Sequence, residues 1–211
     1  MKSEAFRSEP LFLRNRQFMV GRFQMPFVYA QMVRTDDLEL LGFDKTRRIE
    51  LSRVRKSKTV HFFLDDYKFD EVWKAPDKQI RKLGQYAQSL SPDFSVYSDM
   101  PEPLQMYSTF RNRWCAAVWQ AAGMIVVPTV SWGGENTFEF CFDGIEKGSI
   151  VAVSTIGTAR YVDEFLGGFR QLCDRIEPRM VINYGEAYPK MLDLATVMTV
   201  PYTHGSYQGV D

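Results

Sequence analysis

The fold is decided most clearly by residues 149–184, which have the sequence SIVAVSTIGTARYVDEFLGGFRQLCDRIEPRMVINY. The runs IVAVS and MVINY are apolar and largely β-branched, which is typical of strands covered on both faces. Between them, apolar side chains recur every three or four residues and predict a helix over 161–176, which Pro178 ends. The helix positions concerned are Phe165, Phe169, Leu172 and Ile176. This succession predicts a parallel unit with a right-handed crossover.

The same alternation of strands and helices extends along the rest of the chain. A second helix is predicted over 103–122, because Ser98 or Asp99 can cap its start and Gly123 can end it. Its predicted apolar stripe consists of Leu104, Tyr107, Trp114, Val118 and Ala121. The predicted strands are 26–33, 59–64, 93–97, 124–130, 149–154, 179–184 and 197–200.

Seven strands in this pattern predict an α/β fold with a mostly parallel sheet. The architecture is TIM-barrel-like or an incomplete barrel, and an open doubly wound sheet is the alternative. In either one, ligands bind at the carboxyl ends of the strands. We expect one domain over 1–211, with an N-terminal extension and first strand (1–48), a core (49–186), and a C-terminal strand with a mobile tail (187–211).

Composition limits the class of protein. The 211 residues carry no net charge, and the pI is near 6.7, so no overall field favours nucleic acid or an anionic membrane. No stretch has the ~20 apolar residues of a membrane helix, and we expect a soluble, cytoplasmic protein without a membrane partner. Three separated cysteines and two histidines cannot form the common zinc-ligand spacings, so no Cys/His metal site is expected.

Seven ordered motifs resemble the domain of unknown function 4417 family, whose members come from bacteria, phages and other mobile elements. The motifs are HFFLDDYKFDEVW, SPDFSVYSDMP, STFRNRWCAAVWQAAG, IVVPTVSWG, EFCFDGI, VAVSTIG and VINYG. The resemblance covers roughly 49–186, and it implies no established activity. Where the family has YGSAP, this chain has YGEAYP, so Glu186 replaces a small hydroxyl residue.

Three carboxylates are the candidate catalytic residues. Asp65 and Asp66 close one predicted strand, and Asp93 opens the next. Neighbouring carboxylates can share a proton or bind Mg²⁺, which supports acid/base chemistry or metal-assisted hydrolysis. The alternative is that they are turn and cap residues bonded to backbone N–H groups.

Two further features suggest ligand contacts near these carboxylates. Strand alternation places Ser95 and Tyr97 on the face of Asp93, although a solvent-facing edge strand is an equal alternative. Arg111 falls on the predicted apolar stripe, where its guanidinium can grip an anionic ligand or pair with one of the three aspartates. Asn112 and Arg113 are expected to face solvent or a loop.

The ends of the later strands supply the other candidate ligand residues. Ser154, Thr155 and Gly157 precede a helix and form a candidate phosphate cradle, with a simple N-cap turn as the alternative. Tyr184 and Glu186 end the next strand at the same rim. Trp132 can stack on a ligand ring or close over the core.

One basic strip, KTRRIELSRVRKSK at 45–58, is a candidate phosphate-contacting surface for nucleic acid. Its candidate contacts are Arg47, Arg48, Arg53, Arg55 and Lys56. Charge runs are more often solvated faces. The leading hypothesis is therefore binding or processing of a phosphorylated or nucleotide-like small ligand. The alternatives are a nucleic-acid-binding accessory of mobile-element replication and a non-catalytic module that binds a host protein. Catalysis and oligomeric state remain open.

Overall fold

The computed structural model describes residues 17–48 and 55–202. The described strands are β1 (Met19–Val20), β2 (Met25–Pro26), β3 (Glu39–Gly42), β4 (Lys58–His61), β5 (Gln88–Leu90), β6 (Val126–Val127), β7 (Ile150–Ser154), β8 (Met180–Tyr184) and β9 (Val197–Val200). The described α-helices are α1 (Glu71–Lys74), α2 (Pro76–Leu83), α3 (Glu102–Ala121), α4 (Val162–Ile176) and α5 (Pro189–Leu194). Short 3₁₀ helices cover Phe43–Arg48, Asp66–Lys68 and Glu135–Glu139.

Seven of these strands run parallel and neighbour one another in chain order. One sheet has the order β3-β4-β5-β6, and the other has the order β7-β8-β9. Residues just after β6 join them, since Val130 N–H donates to the carbonyl of Ala152 and Ala152 N–H donates to that of Pro128, each at 2.9 Å. A doubly wound sheet reverses its strand order at a switch point. The described strands show no reversal, so that alternative is wrong for this part of the chain.

The sheet is strongly curled. The ring of Phe63, which follows β4, stacks on Tyr184 at the end of β8 with centroids 5.4 Å apart, although three strands lie between β4 and β8. His61 contacts the same ring at 4.8 Å. Among the described residues, no strand pairing joins β9 to β3. The prediction of a mostly parallel α/β sheet is thus confirmed, and the described sheet is curled and not closed by hydrogen bonds.

Alternation within the strands explains the continuous apolar runs. In β7, Val151 and Val153 pack on α4, while Ile150 and Ala152 face the concave side of the sheet. On the convex side, β4 and the residue after it pack against α1, α2 and α3 through Val60 and Phe62. Because both faces are covered by other elements, buried apolar residues occur on both faces of β7, from Ile150 to Val153.

Prediction was most accurate for the late strands and wrong for two early ones. Strands β7, β8 and β9 agree with the predicted 149–154, 179–184 and 197–200 to within one residue at each end. By contrast, residues 93–97 are not a strand, and the strand there is β5, at Gln88–Leu90. Pro92 cannot donate to a ladder, and its carbonyl accepts a turn hydrogen bond from Phe94 N–H at 3.0 Å. The polar residues after it therefore lie on a loop.

The predicted strand 26–33 is likewise mostly extended chain without ladder pairing. Only its first residue is in a strand, because β2 pairs antiparallel with β1. Val28 instead makes an isolated parallel bridge to Ile145. The sequence reasoning also missed β3, which pairs in parallel with β4 at the edge of the sheet.

Helix α3 confirms the predicted span but buries a different face. Leu104 and Tyr107, assigned to the apolar stripe, are 52% and 45% exposed. The buried face in this half of the helix is polar and consists of Gln105, Ser108, Thr109, Asn112 and Arg113. These side chains bind loops at the carboxyl end of the sheet. For example, Gln105 donates to the carbonyl of Tyr97 at 2.6 Å, and Asn112 donates to that of Pro92 at 2.7 Å. The predicted cap is also wrong, since no side chain caps the helix start at Pro101.

Arg113 was expected to face solvent or a loop; it is buried, so the solvent option is wrong, and it faces loop segments. Its guanidinium donates to the carbonyls of Asp143 (3.0 Å), Thr129 (3.1 Å) and Cys141 (2.6 Å), and to Oδ1 of Asn112 (2.5 Å). Burial lowers the pKa of Arg113 to about 10, while nearby Cys141 and Asp143 act in the opposite direction. One charged group thus ties α3 to the loop after β6 and to the segment after Glu135–Glu139.

Candidate functional site

A cleft of about 260 Å³ opens at the carboxyl ends of β4, β5, β6 and β7. This is the edge of the sheet at which α/β proteins place their ligands. Six predicted site residues line it, namely Asp65, Asp93, Ser95, Tyr97, Trp132 and Ser154. Thr158, which belongs to the segment predicted as a phosphate cradle, also lines it. Sequence reasoning left out the other lining residues, which are Phe63, Leu64, Val96, Val130, Ser131, Ile156 and Phe165. Most of these residues are apolar. Their place in the cleft depends on where the fold puts the loops, which sequence patterns do not give.

Asp93 is the unusual group in this cleft. The side chain is partly exposed, yet its Oδ1 atom is shielded from solvent and has no hydrogen-bond partner. Burial raises the pKa of Asp93 to about 7; a hydrogen bond from Ser131 opposes this shift, and the charge of Asp66 adds to it. A carboxyl group that titrates near neutral pH is suited to proton transfer. Such groups also concentrate at functional sites.

Asp66 lies behind the cleft and organises the loop after β5. Its carboxylate accepts hydrogen bonds from the Ser95 amide (3.1 Å) and hydroxyl (2.8 Å). Arg111 approaches the same carboxylate at 3.9 Å. The guanidinium also stacks over Phe94, 3.9 Å from the ring centre, and over Tyr107 at 4.8 Å. Neither Asp66 nor Arg111 lines the cleft, so this geometry matches the structural ion pair more closely than an anion clamp.

Asp65 lies at the mouth of the cleft and is exposed. It forms an ion pair with Lys68, three residues later, at 2.9 Å. The hydrogen bond that the Lys68 ammonium donates to Asp65 raises the pKa of Lys68. The three predicted carboxylates are therefore in one region but in different environments: Asp65 is exposed, Asp66 is held by a loop, and Asp93 is shielded. Within residues 17–48 and 55–202, no group of three His, Cys, Asp or Glu side chains is arranged to hold a metal ion.

The segment predicted as a phosphate cradle forms a turn closed by its own hydroxyls. Thr155 Oγ1 donates to the carbonyl of Glu186, and Thr158 Oγ1 donates to that of Thr155, both at 2.8 Å. Ser154 Oγ donates to the carbonyl of Tyr184 at 3.1 Å. Gly157 is exposed with φ of 79°. These hydroxyl groups close a turn but do not cap α4, whose N-cap is Tyr161 and has no side-chain cap hydrogen bond. Ser154 and Thr158 face the cleft.

Tyr184 and Glu186, the two residues predicted to complete the site after β8, lie in different environments. Tyr184 is buried in the concave side of the sheet, where its hydroxyl has no hydrogen-bond partner. Glu186, by contrast, is exposed beyond the strand end. Neither lines the cleft. The shared rim that the sequence predicted therefore divides into a cleft on the β4–β7 side and separate positions after β8.

Trp132 forms one wall of the cleft together with Phe165 of α4. Their ring centres are 5.1 Å apart, and Trp132 also contacts Phe142 at 6.0 Å. The indole lies directly on the backbone of Gly168, where a Cβ atom would overlap the five-membered ring. Absence of a side chain at Gly168 is therefore what lets the indole lie along this wall.

Replacing Gly168 with alanine is expected to displace the Trp132 indole and to destabilise the fold by roughly 1–3 kcal/mol, the usual cost of overpacking. The change in tryptophan fluorescence and in the urea midpoint measures both effects. Gly167→Ala is the matched control, since a Cβ there meets nothing within 4 Å. It should leave the fluorescence unchanged and add roughly 0.5–1 kcal/mol of helix stability. Identical behaviour of the two variants would contradict the role of Gly168 in positioning the indole.

The basic strip lies largely beyond the described residues. Arg53 lies outside them, and the side chains of Arg47 and Arg48 are not described either. Of the remaining candidates, Arg55 donates to Gln85 Oε1 and Lys56 is exposed. Lys58, at the end of the strip, pairs with Glu39 on β3. The C-terminal tail that the sequence predicted to be mobile also lies outside the described residues from position 203 onward.

Comparison with known proteins places the chain in a family. A model of the family described as Domain of unknown function (DUF4417) matches residues 18–201. The chain belongs to this family. The match extends the resemblance seen over 49–186 in both directions, so most of the segments expected to lie outside it are part of the family domain. No solved structure matches the chain.

Two curated relatives come from phages. The chain is 43% identical over 130 residues to the Gene 1 protein of Mycobacterium phage L5, which is 60% of this chain and 57% of that protein. It is 43% identical over 129 residues to the Gene 1 protein of Mycobacterium phage D29, which is 60% of this chain and 48% of that one. The chain thus spans about half the length of the curated relatives it matches. In the part of the chain described, no helix is long and apolar enough to cross a bilayer.

Proposed function

We propose that this DUF4417 chain binds an uncharged, ring-bearing part of a small ligand in the cleft and exchanges a proton with it through Asp93. The observation that carries the proposal is the shielded, unpartnered Oδ1 atom of Asp93 within a concave site at the carboxyl ends of the strands. The supporting scaffold, in this proposal, is an incomplete barrel within one domain. The strand order and the curl of the sheet favour that architecture.

The size and lining of the cleft favour a single ring system. Its volume of about 260 Å³ falls just below the roughly 300–1,000 Å³ of typical small-molecule sites. Trp132 and Phe165 supply a flat aromatic wall, and Ser131 and Ser154 supply hydroxyl groups that can donate or accept. Apolar walls with a few polar groups are typical of sites that fix the orientation of a small organic ligand.

The charges that line the cleft disfavour a phosphate group enclosed within it. The cleft lining contains no lysine or arginine, and it contains the carboxyl groups of Asp65 and Asp93. An enclosed phosphate would meet repulsion without a compensating cation. If the ligand is phosphorylated, its phosphate group therefore lies outside the cleft, and the enclosed portion is neutral.

Asp93 supports a role in proton transfer. Its pKa of about 7 leaves both protonation states populated near neutral pH. A group of this kind can donate a proton at one step and accept it at another. Its orientation is maintained by Ser131 and by the Asp66–Ser95 contact that fixes the neighbouring loop.

A thermal-shift panel of uncharged ring ligands tests the proposal. Nucleosides, monosaccharides and aromatic amides are the probes, and at least one class is expected to raise the melting temperature of the protein. Trp132→Ala and Asp93→Ala should remove the shift while the far-ultraviolet circular dichroism remains that of a folded protein. Asp193→Asn changes an exposed carboxylate on α5 and serves as the control that keeps the shift.

Two results would overturn the proposal. If no class of probe raises the melting temperature, or if Trp132→Ala leaves every shift intact, the cleft is not the ligand site. Any binding that persists in both cleft variants would have to be located elsewhere on the chain.

A further inference from the structure

We infer that the ligand presents to Asp93 a planar heteroaromatic edge with one hydrogen-bond acceptor beside one donor, as on adenine or cytosine. The inference rests on the proposed function and names the ligand class of the same cleft. It follows from three features of the cleft as the described residues form it: an unpartnered carboxyl oxygen, a lining without lysine or arginine, and a lining in which apolar and aromatic side chains accompany a few polar groups.

The site favours the protonated, neutral form of the Asp93 carboxyl group. Among the described residues, no lysine or arginine lines the cleft, and Asp66, whose charge acts on Asp93, is already paired with Arg111. An ionised Asp93 would therefore be buried without a counter-charge, whereas the neutral acid avoids that cost. A neutral carboxyl group has one O–H donor and one carbonyl acceptor side by side. Its best partner offers an acceptor and a donor in the same arrangement.

Both oxygens of the Asp93 carboxyl group can reach a ligand in the cleft. Oδ1 is shielded in the described conformation, while the side chain as a whole remains partly exposed and lines the cleft. The terminal torsion of aspartate has broad, two-fold minima, so a modest rotation brings either oxygen to the cleft. A ligand edge that bonds both oxygens then satisfies the atom that has no partner within the protein.

The lining of the cleft suits a nucleobase better than a sugar. A monosaccharide carries hydroxyl groups around its whole perimeter, and each of these needs a partner when it is enclosed. Half of the cleft lining is apolar, with Trp132 and Phe165 on one wall and Phe63, Leu64 and Ile156 among the others. A heteroaromatic ring, with apolar faces and one polar edge, matches this distribution. Enzymes that read isolated bases use the same combination of aromatic stacking and edge hydrogen bonds.

The groups around Asp93 set its response to pH. From the 3₁₀ helix after β4, Asp66 faces it and Asp65 shares the cleft. From α3, Arg111 neutralises Asp66. On its own loop, Tyr97 contributes a phenol that hydrogen-bonds Ser95. Titration of Asp93 is therefore the change near neutral pH that the ligand would sense.

Isothermal titration with matched nucleosides tests the inference on the full chain. Adenosine and cytidine are compared with purine riboside, which lacks the exocyclic amine, and with N6,N6-dimethyladenosine, which keeps the ring acceptor but has no N–H donor. Guanosine, whose edge includes two adjacent donors, reports on binding by an ionised carboxylate. At about pH 6, adenosine or cytidine should bind at least tenfold more tightly than both comparison nucleosides. At about pH 8.5, their binding should be roughly thirtyfold weaker, since the neutral carboxyl becomes the minor form.

Two variants sharpen the result. Asp93→Asn retains one donor and one acceptor, so it should keep the binding and remove its pH dependence. Asp93→Ala should abolish binding at both pH values.

The last titration uses a short single-stranded oligonucleotide that carries the preferred base. Tighter binding of the strand than of the nucleoside identifies nucleic acid as the source of the base, and equal binding identifies the free nucleoside.

Other outcomes overturn the inference. Preference for guanosine with binding that strengthens at higher pH would mean that an ionised Asp93 reads two donors. Equal affinity for adenosine and purine riboside would mean that the edge is not read at all. If a monosaccharide binds in a Trp132-dependent manner and no nucleoside does, the proposed function stands and this inference fails. If no ring ligand binds, both fail.

Discussion

Replacing Asp93 with asparagine is expected to make the protein more stable above neutral pH, by as much as about 4 kcal/mol. Burial raises the pKa of this carboxyl from 3.8 to about 7, and each tenfold change in a proton-binding constant corresponds to about 1.4 kcal/mol. Asparagine has nearly the same shape and does not ionise. The variant therefore removes the cost of holding a negative charge in the cleft without removing the side chain.

The sign of this effect follows from proton binding in the two states. Between about pH 4 and pH 7, the folded protein retains the Asp93 proton that the unfolded chain has released. Stability from this group is therefore fully present below the unfolded-state pKa, and it is lost as the pH rises through the folded-state pKa. Wild type and Asp93→Asn should have similar stability at about pH 4, and the variant should be the more stable above about pH 7.

The contribution of His61 to stability has the opposite pH dependence, so the wild-type protein must be compared with the Asp93→Asn variant. Burial, together with the charge of Lys45, lowers the pKa of His61 from 6.5 to about 3. Its contribution to stability is lost as the pH falls below the unfolded-state value. The wild-type profile alone therefore mixes two opposing contributions. The difference between wild type and Asp93→Asn cancels the contribution of His61, which is common to both proteins.

Urea unfolding at several pH values measures this difference. For a domain of this length, a gain of about 4 kcal/mol corresponds to a melting temperature roughly 10 °C higher. Asp193→Asn, at an exposed position, should follow the wild-type profile. A pH-independent difference between Asp93→Asn and wild type would show that Asp93 does not titrate near neutral pH. The proposed proton transfer would then lose its support.

Replacing Arg113 with methionine is expected to destabilise the protein by roughly 3–5 kcal/mol, as removal of one member of a buried polar network usually does. The change leaves the carbonyls of Asp143, Thr129 and Cys141 without the guanidinium donor. The carbonyls of Asp143 and Cys141 then lose a donor inside the fold, and each carries a desolvation cost, whereas the carbonyl of Thr129 keeps Asn112 as a donor at 3.2 Å. The melting temperature should fall by roughly 10 °C.

Arg111→Met is the matched control, two residues away on the same helix. Arg111 makes a long contact with Asp66 and stacks on Phe94 and Tyr107. Partly exposed contacts of this kind contribute about 1 kcal/mol. Arg113→Lys provides a milder variant if Arg113→Met does not fold, because a single ammonium group cannot serve acceptors on three sides. Equal losses from the Arg111 and Arg113 variants would contradict the structural distinction between them.

These two arginines show where prediction from sequence stopped. Helical periodicity correctly indicated a helix over 103–122, and spacing placed Arg111 beside the apolar residues. Periodicity assumes that the buried face is the apolar one. In α3, loops at the end of the sheet cover the face with Gln105, Asn112 and Arg113, and their carbonyls are the partners that make a buried polar face stable. No pattern within the helix contains information about those loops.

The segment around Asp93 shows a related limit. Alternation in SPDFSVY predicted a strand, but the residues form a loop after β5. The prediction still located Asp93, Ser95 and Tyr97 at the carboxyl edge of the sheet, because that assignment depends only on which strands precede them. It could not distinguish Asp93 from Asp65 or Asp66. Their difference depends on Ser131, on Arg111 and on the walls that exclude water, all of which come from other elements.

By itself, the sequence determined the class of fold and the edge of the sheet at which the candidate site residues lie. Runs such as IVAVS and MVINY require cover on both faces, and the helix at 162–176 has one apolar stripe, so local patterns suffice for these elements. Tertiary structure alone decided the curl of the sheet, the burial of Arg113 and the shielding of Asp93. The physical reason is that desolvation of a polar group depends on which distant residues cover it, and the chain brings those residues together only when it folds.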